Sequence, residues 1–219
     1  MARMPRLVVP YFPHHVTQRG NRRMQTFFSD ADYQHYLNLI CKYKDEAGVQ
    51  IWAYCLMPNH VHLVAIPARE DSLAALFRQV HRRYTRTINL REGWKGHLWQ
   101  ERFHSFVMDE QHLVAAVRYV ELNPVNAGLV RQAAQWPWSS VRAHLLGEDD
   151  KVTAVQPMLE RINNWQGYLT GDDDSDLIDV IRQHSRSGRP AGTDQFMSQL
   201  EKMTGLALRP KKRGRKPLL

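Results

Sequence analysis

The chain has 219 residues, 43% hydrophobic and 24% charged, an ordinary globular composition with enough length to bury a core without disulfide staples. No apolar run approaches the roughly 18 residues of a membrane-spanning helix, and the apolar residues 7–9 are too few for the core of a signal peptide; two cysteines, Cys41 and Cys55, argue against a disulfide scaffold and for a reducing cytoplasm. Thirty Lys and Arg against 22 Asp and Glu leave a charge of +8, which points to a polyanionic partner, most simply nucleic acid. That charge is uneven: residues 1–147 carry 18 basic and 11 acidic side chains, 148–180 two and nine, and 181–219 ten and two. A basic body, an acidic band and a basic tail suggest a core with an appended segment, and the same counts also fit a plain solvated surface.

In chain order, β-branched and aromatic residues around 14–18 predict a short strand, followed by the basic turn Arg19-Gly20-Asn21-Arg22-Arg23. Ser29 or Asp30 can cap a helix that runs to about Ala47 and stops at Gly48, with Tyr33, Tyr36, Leu37, Ile40 and Tyr43 at helical spacing. Residues 49–56 and 60–66 read as a hairpin around Met57-Pro58-Asn59. Leu73, Leu76, Phe77, Val80, Tyr84 and Ile88 mark the next helix, which also carries Arg82, Arg83 and Arg86. A strand is expected over 102–108, then a helix from Asp109 ending before Pro124. The order β-α-β-β-α-β-α predicts an α+β protein of ferredoxin-like βαββαβ type, an antiparallel sheet with packed helices. Short helices follow near 140–146, 156–169, 174–184 and 194–204, with a boundary near residue 147. The expected division is a first domain over 1–147, a small helical extension over 148–208 and a basic tail over 209–219.

Two groups of residues can carry chemistry. His60-Val61-His62 sits in a strand, so both imidazoles share a face, roughly 6.5 Å apart along it, while Val61, Leu63 and Ala65 face the core. Imidazole is a common ligand for divalent metals, although two ordinary polar residues on an exposed strand give the same pattern. The absence of Asp and Cys ligands at zinc spacing argues against a closed structural zinc site. In Tyr119-Val120-Glu121-Leu122-Asn123-Pro124, Tyr119 and Asn123 lie one helical turn apart. The amide oxygen of Asn123 is a hard ligand of the kind Mg2+ and Mn2+ accept, and the phenol of Tyr119 can act as a nucleophile; a buried tyrosine and a capping asparagine satisfy the same spacing. Taken together, two histidines, an amide oxygen and a tyrosine fit metal-assisted phosphodiester transfer.

The sequence resembles the HUH single-tyrosine transposases, and within them the REP-associated tyrosine transposases of bacteria, REP standing for repetitive extragenic palindrome. Four blocks carry the resemblance, over about residues 6–146: His15 to Asn21, Met57 to Val64, Leu98 to Phe103, and Tyr119 to Val125. The resemblance implies the HUH fold, with His60 and His62 as metal ligands, Asn123 as the third where insertion-sequence relatives carry glutamine, Tyr119 as nucleophile, and Mg2+ or Mn2+ as cofactor. It implies cleavage and rejoining of single-stranded DNA at REP-type hairpins through a 5′-phosphotyrosine, in a cytoplasmic, nucleoid-associated protein that is a monomer, a dimer being the variant seen in insertion-sequence relatives. The length beyond Gly147 departs from the shorter family core. Expected DNA contacts are Arg19, Arg22, Arg23, Arg82, Arg83, Arg86 and Arg102, with Tyr84, Trp94, Trp99 and Phe103 as interleaved aromatics that can stack on bases, core packing being the preferred reading for Trp99 and Phe103. In the tail, Lys211, Lys212, Arg213 and Arg215 surround an Arg-Gly-Arg that resembles an AT-hook, expected to clamp DNA in competition with the acidic Asp172-Asp173-Asp174. The alternatives are a hairpin-binding regulator without cleavage and a metal hydrolase of small substrates; the second lacks nearby carboxylates.

Overall fold

Alternation of side chains along four strands decides the architecture. Strands β1 (His14–Arg19), β2 (Val49–Met57), β3 (His60–Pro67) and β4 (His104–Val107) form one antiparallel sheet in the order β2-β3-β1-β4. The computed structural model describes residues 6–171 and 175–209. Asp172, Asp173, Asp174 and the tail from residue 210, with Lys211, Lys212, Arg213 and Arg215, lie outside the described residues.

Both faces of the sheet are apolar enough to be covered. On one face Val16, Ile51, Leu56, Val61 and Leu63 meet helices α1 (Asp30–Ala47) and α2 (Ser72–Glu92), which contribute Tyr36, Ile40, Phe77, Val80 and Tyr84. Each fully buried side chain of this size contributes about 1.5–3 kcal/mol. Ser29 and Asp32 form a capping box at the start of α1, and Gly48 ends it in the left-handed region at φ 66°. On the other face Ala53, Cys55, Val64 and Phe106 meet helix α3 (Glu110–Asn126) through Leu113, Ala116, Val117 and Val120, spaced i, i+3, i+4, i+7. The α+β βαββαβ sheet with packed helices is therefore the one the sequence predicts.

Three boundaries differ. The last strand is four residues long, His104–Val107. Helix α3 does not stop before Pro124 but runs through it to Asn126. Proline removes one N–H there, and the ladder resumes beyond it, with Ala127 N–H donating to Asn123 O and Leu129 N–H to Pro124 O, each at 2.9 Å. The helix expected over 156–169 is two, α5 (Gln156–Leu159) and α6 (Trp165–Thr170), because Asn164 leaves helical geometry and caps α6, its side chain accepting from Gly167 N–H at 2.9 Å.

Helices α4 (Val141–Leu146), α6, α7 (Ser175–Ser187) and α8 (Asp194–Thr204) follow. Met158, Trp165, Leu169 and Ile181 bury themselves in the same cluster as α3. A polar knot locks α3 in place: the fully buried Glu121 carboxylate accepts from Ser140 Oγ at 2.6 Å, His144 Nδ1 at 2.6 Å and Trp165 Nε1 at 2.9 Å. Ser140 Oγ in turn accepts from Tyr54 N–H at 3.0 Å. One side chain of α3 thus ties it to β2, α4 and α6.

Candidate active site

The pairing register lays the polar residues out as rows across the α3 face. His62 stands opposite Thr17, which stands opposite His104; His60 stands opposite Arg19; Val64 stands opposite His15, which stands opposite Phe106. The period of two along β3 therefore brings His60 and His62 to one face, with ring centroids 4.9 Å apart. Tyr119 projects from α3 onto the same place. Its ring is edge-on to His62 at 5.6 Å and to His15 at 6.1 Å. A cavity of about 600 Å3 opens here, lined by His60, His62, Tyr119, Arg19, Arg23 and Arg182 among others. Two distant parts of the chain, the strand pair and the tyrosine helix, thus converge as the motifs suggested.

The state of the imidazoles follows from burial. Desolvation, with the charge of Arg19 added, brings the His60 pKa down to about 3. Burial first, then the neighbouring His60, His15 and Arg19, hold His62 well below the ordinary histidine value. Both rings are neutral at pH 7, the form that binds metal. His60 Nδ1 lies 2.6 Å from Asn59 Oδ1. The amide nitrogen of Asn59 donates to Arg23 O at 3.0 Å, so its oxygen faces His60 and accepts the Nδ1 proton. That leaves the His60 Nε2 lone pair for a ligand, the usual arrangement behind a metal-bound histidine.

His60 and His62 are two imidazole donors that face the cavity together. Among the described residues no three His, Cys, Asp or Glu side chains gather as a metal-holding group, so a third protein ligand has to be of another kind. Asn123 lies one turn beyond Tyr119 and offers an amide oxygen. Its amide nitrogen donates to Tyr119 O at 2.9 Å, and it is not among the residues lining the cavity.

The arginines divide. Arg19 and Arg23 line the cavity, whereas Arg102 lines an adjoining hollow with Asn21, His97 and Trp99. Arg22 is exposed on the turn beside them. Arg22, Arg23 and Glu101 all have left-handed backbones, at φ 53°, 62° and 54°, a strain that collects at functional loops. Gly20 makes that turn possible, because a Cβ there would lie 2.2 Å from Met24 O. Arg82, Arg83 and Arg86 sit on α2 on the opposite face of the sheet, where Arg83 stacks 5.1 Å from the Tyr43 ring. Of the interleaved aromatics, Tyr84, Trp99 and Phe103 are buried in the α1/α2 core, and Trp94 is the exposed one. Apolar packing claims those three rings before stacking on bases can.

Several residues at the site escaped the sequence reading. Thr17 and His104 share the register rows with His62; Gln18, Gln100 and Glu101 line the cavity. Alternation along β1 was the available signal for His15 and Thr17. Arg182 and Ser185 arrive from α7, 120 residues from the strand pair, and no local spacing announces them. Arg182 places its guanidinium carbon 5.9 Å from the Tyr119 ring centre.

The family model described as IS200-like transposase matches residues 9–123. A REP-associated tyrosine transposase of Escherichia coli strain K12 is 28% identical over 121 residues, which is 55% of this chain and 70% of that protein. The solved structure of a REP-associated tyrosine transposase bound to a REP hairpin superposes with a TM-score of 0.58 at 24% identity, covering 70% of this chain and 92% of the other, a likeness of fold. Among the described residues no helix is long and apolar enough to cross a membrane. With more than half of its length matched by the family model, the chain belongs to the IS200-like transposase family, and it resembles the REP-associated tyrosine transposases in sequence and in fold.

Proposed function

We propose that this protein is a metal-dependent single-stranded DNA endonuclease and strand transferase that acts on REP-type hairpins through a 5′-phosphotyrosine on Tyr119. The observation that carries the proposal is the meeting of Tyr119 with the His60–His62 pair, edge-on at 5.6 Å to His62, in a cavity rimmed by arginines. His60 and His62 would hold Mg2+ or Mn2+ through Nε2, and Asn123, which does not line the cavity here, would have to turn its amide oxygen towards it to serve as the third ligand. A divalent ion so held would polarise a phosphoryl oxygen and offset the charge that develops there.

The remaining work falls to the chain. Tyr119 Oη gives up its proton and attacks phosphorus; the P–O bond to tyrosine forms as the bond to O3′ breaks, and O3′ leaves as a hydroxyl after taking up a proton, so the step neither consumes nor releases a proton overall. The phosphodiester energy is kept in the phosphotyrosine, so a second 3′ hydroxyl can reverse the step and join strands. Arg19, Arg23 and Arg182 line the same cavity and neutralise phosphates beside the scissile one. A non-catalytic hairpin binder would have no use for Tyr119. The test is Tyr119→Phe with a labelled single-stranded palindromic hairpin from the host genome. The variant should bind the hairpin as the parent does and yield no cleaved strand; cleavage at the parental rate would refute the assignment.

A further inference from the structure

The site does not end with the sheet and α3. Helix α7 reaches it twice, with Arg182 over Tyr119 and with Ser185 against His15. His15 is itself buried, stacked on His62 with centroids 5.2 Å apart and rings 9° from parallel. Three hydrogen bonds run in series. Ser185 Oγ lies 2.8 Å from Ile181 O, 3.2 Å from His15 Nδ1, and His15 Nε2 lies 3.0 Å from His62 Nδ1.

The carbonyl at the end of this series fixes its direction. A carbonyl only accepts, so the Ser185 hydroxyl proton is spent on Ile181. Ser185 Oγ then presents a lone pair to His15 and takes the proton of His15 Nδ1. A neutral imidazole carries one N–H, so His15 Nε2 is a bare acceptor and receives the proton of His62 Nδ1. The same rule leaves His62 Nε2 bare. Reversing the series would turn the Ser185 hydroxyl to His15 Nδ1 and leave the lone pairs of Ser185 Oγ and Ile181 O facing each other with no proton between them. On this basis we propose that Ser185 and His15 are positioning residues which hold His62 in the tautomer with Nε2 open for a divalent metal, so that α7, remote in sequence, is a working part of the site. Asn59 performs the matching task for His60. The proposal rests on the metal reading given above, and it gives buried His15 a role that packing alone does not require.

The test uses the full chain labelled with 15N-histidine and free of metal. Two-bond 1H–15N spectra should show His62 and His15 protonated at Nδ1. In Ser185→Ala, His15 loses its acceptor, and a population of His62 protonated at Nε2 should appear. Mn2+ affinity, read by the electron paramagnetic resonance of free Mn2+, should then fall on the order of 10-fold, with the melting temperature little changed. His15→Phe should lose about 10–100-fold, whereas His15→Gln, which puts an acceptor oxygen where Nε2 stood, should recover most of it. A parent spectrum with His62 protonated at Nε2 overturns the proposal, as does a Ser185→Ala protein with unchanged tautomer and unchanged affinity. If the parent shows the Nδ1 tautomer and takes up no Mn2+, the metal reading falls while the series of hydrogen bonds stands.

Discussion

Replacing Glu121 with alanine should cost the protein a large part of its stability, and the knot around that residue sets the size. The carboxylate is fully buried and receives three donors, from Ser140, His144 and Trp165, at 2.6–2.9 Å. Its removal strands the His144 and Trp165 donors in the apolar interior, at about 1–3 kcal/mol each, while Ser140 Oγ keeps Tyr54 O as an acceptor at 3.3 Å, and it adds the cavity left by the side chain. Water entering that cavity would repair part of the loss, so the expected destabilisation is about 3–5 kcal/mol, the range found when one partner of a buried ionic pair is removed. With a urea slope of about 2 kcal/mol/M, the unfolding midpoint should fall by roughly 1.5–2.5 M. Glu121→Gln should recover only part of this, because its amide must point one N–H at a donor. Equilibrium unfolding followed by tryptophan fluorescence reports directly, since Trp165 is in the knot. A midpoint shift worth less than about 1 kcal/mol at an unchanged slope would refute the claim that this knot anchors α3.

Stability should also fall as the medium turns acid. Burial brings the pKa of His14 to about 4 and those of His15, His60 and His81 to about 3, whereas in the unfolded chain they titrate near 6.5. Between those limits the unfolded state holds more protons, so stability is full above about pH 6.5 and declines towards pH 4, by up to about 1.4 kcal/mol per pH unit for each histidine. Urea midpoints that stay level from pH 7 to pH 5 would contradict this. Hairpin affinity should depend on salt, and Arg23→Ala should reduce the slope of log affinity against log salt by about 0.7–0.9. The Arg82, Arg83 and Arg86 triple alanine variant, on the opposite sheet face, should leave the slope unchanged; the reverse ranking would place the DNA on α2.

Much of this was readable from short-range pattern. Period-two alternation put His60 and His62 on one face, helical spacing put Tyr33, Tyr36, Leu37, Ile40 and Tyr43 on the buried side of the first helix, and Gly48 and Ser29 marked helix ends by backbone preference. The fold class came from the succession of elements. What could not be read depends on long-range contact. Tyr84, Trp99 and Phe103 have faces that suit unpaired bases, and only the folded core decides that they pack inward. Arg82, Arg83 and Arg86 look equivalent to Arg19 and Arg23 along the chain, yet the sheet separates them. Pro124 breaks one hydrogen bond without ending its helix, because the bonds that follow it are local to residues 123–129. Arg182 and Ser185 reach the site only because α7 packs beside β1 and α3, and nothing in their own neighbourhoods signals it.

The central claim is that Tyr119 becomes covalently bound to DNA. The full chain, incubated with a single-stranded REP-type hairpin and Mn2+, would be digested with nuclease and trypsin and its peptides sequenced by mass spectrometry. Trypsin cuts after Arg118 and Arg131, so the informative peptide is residues 119–131. This peptide should carry a nucleotide remnant through a phosphodiester on Tyr119, the adduct should depend on the metal, and it should be missing in Tyr119→Phe. An adduct on a different tyrosine, or hairpin cleavage by Tyr119→Phe at the parental rate, would contradict the claim.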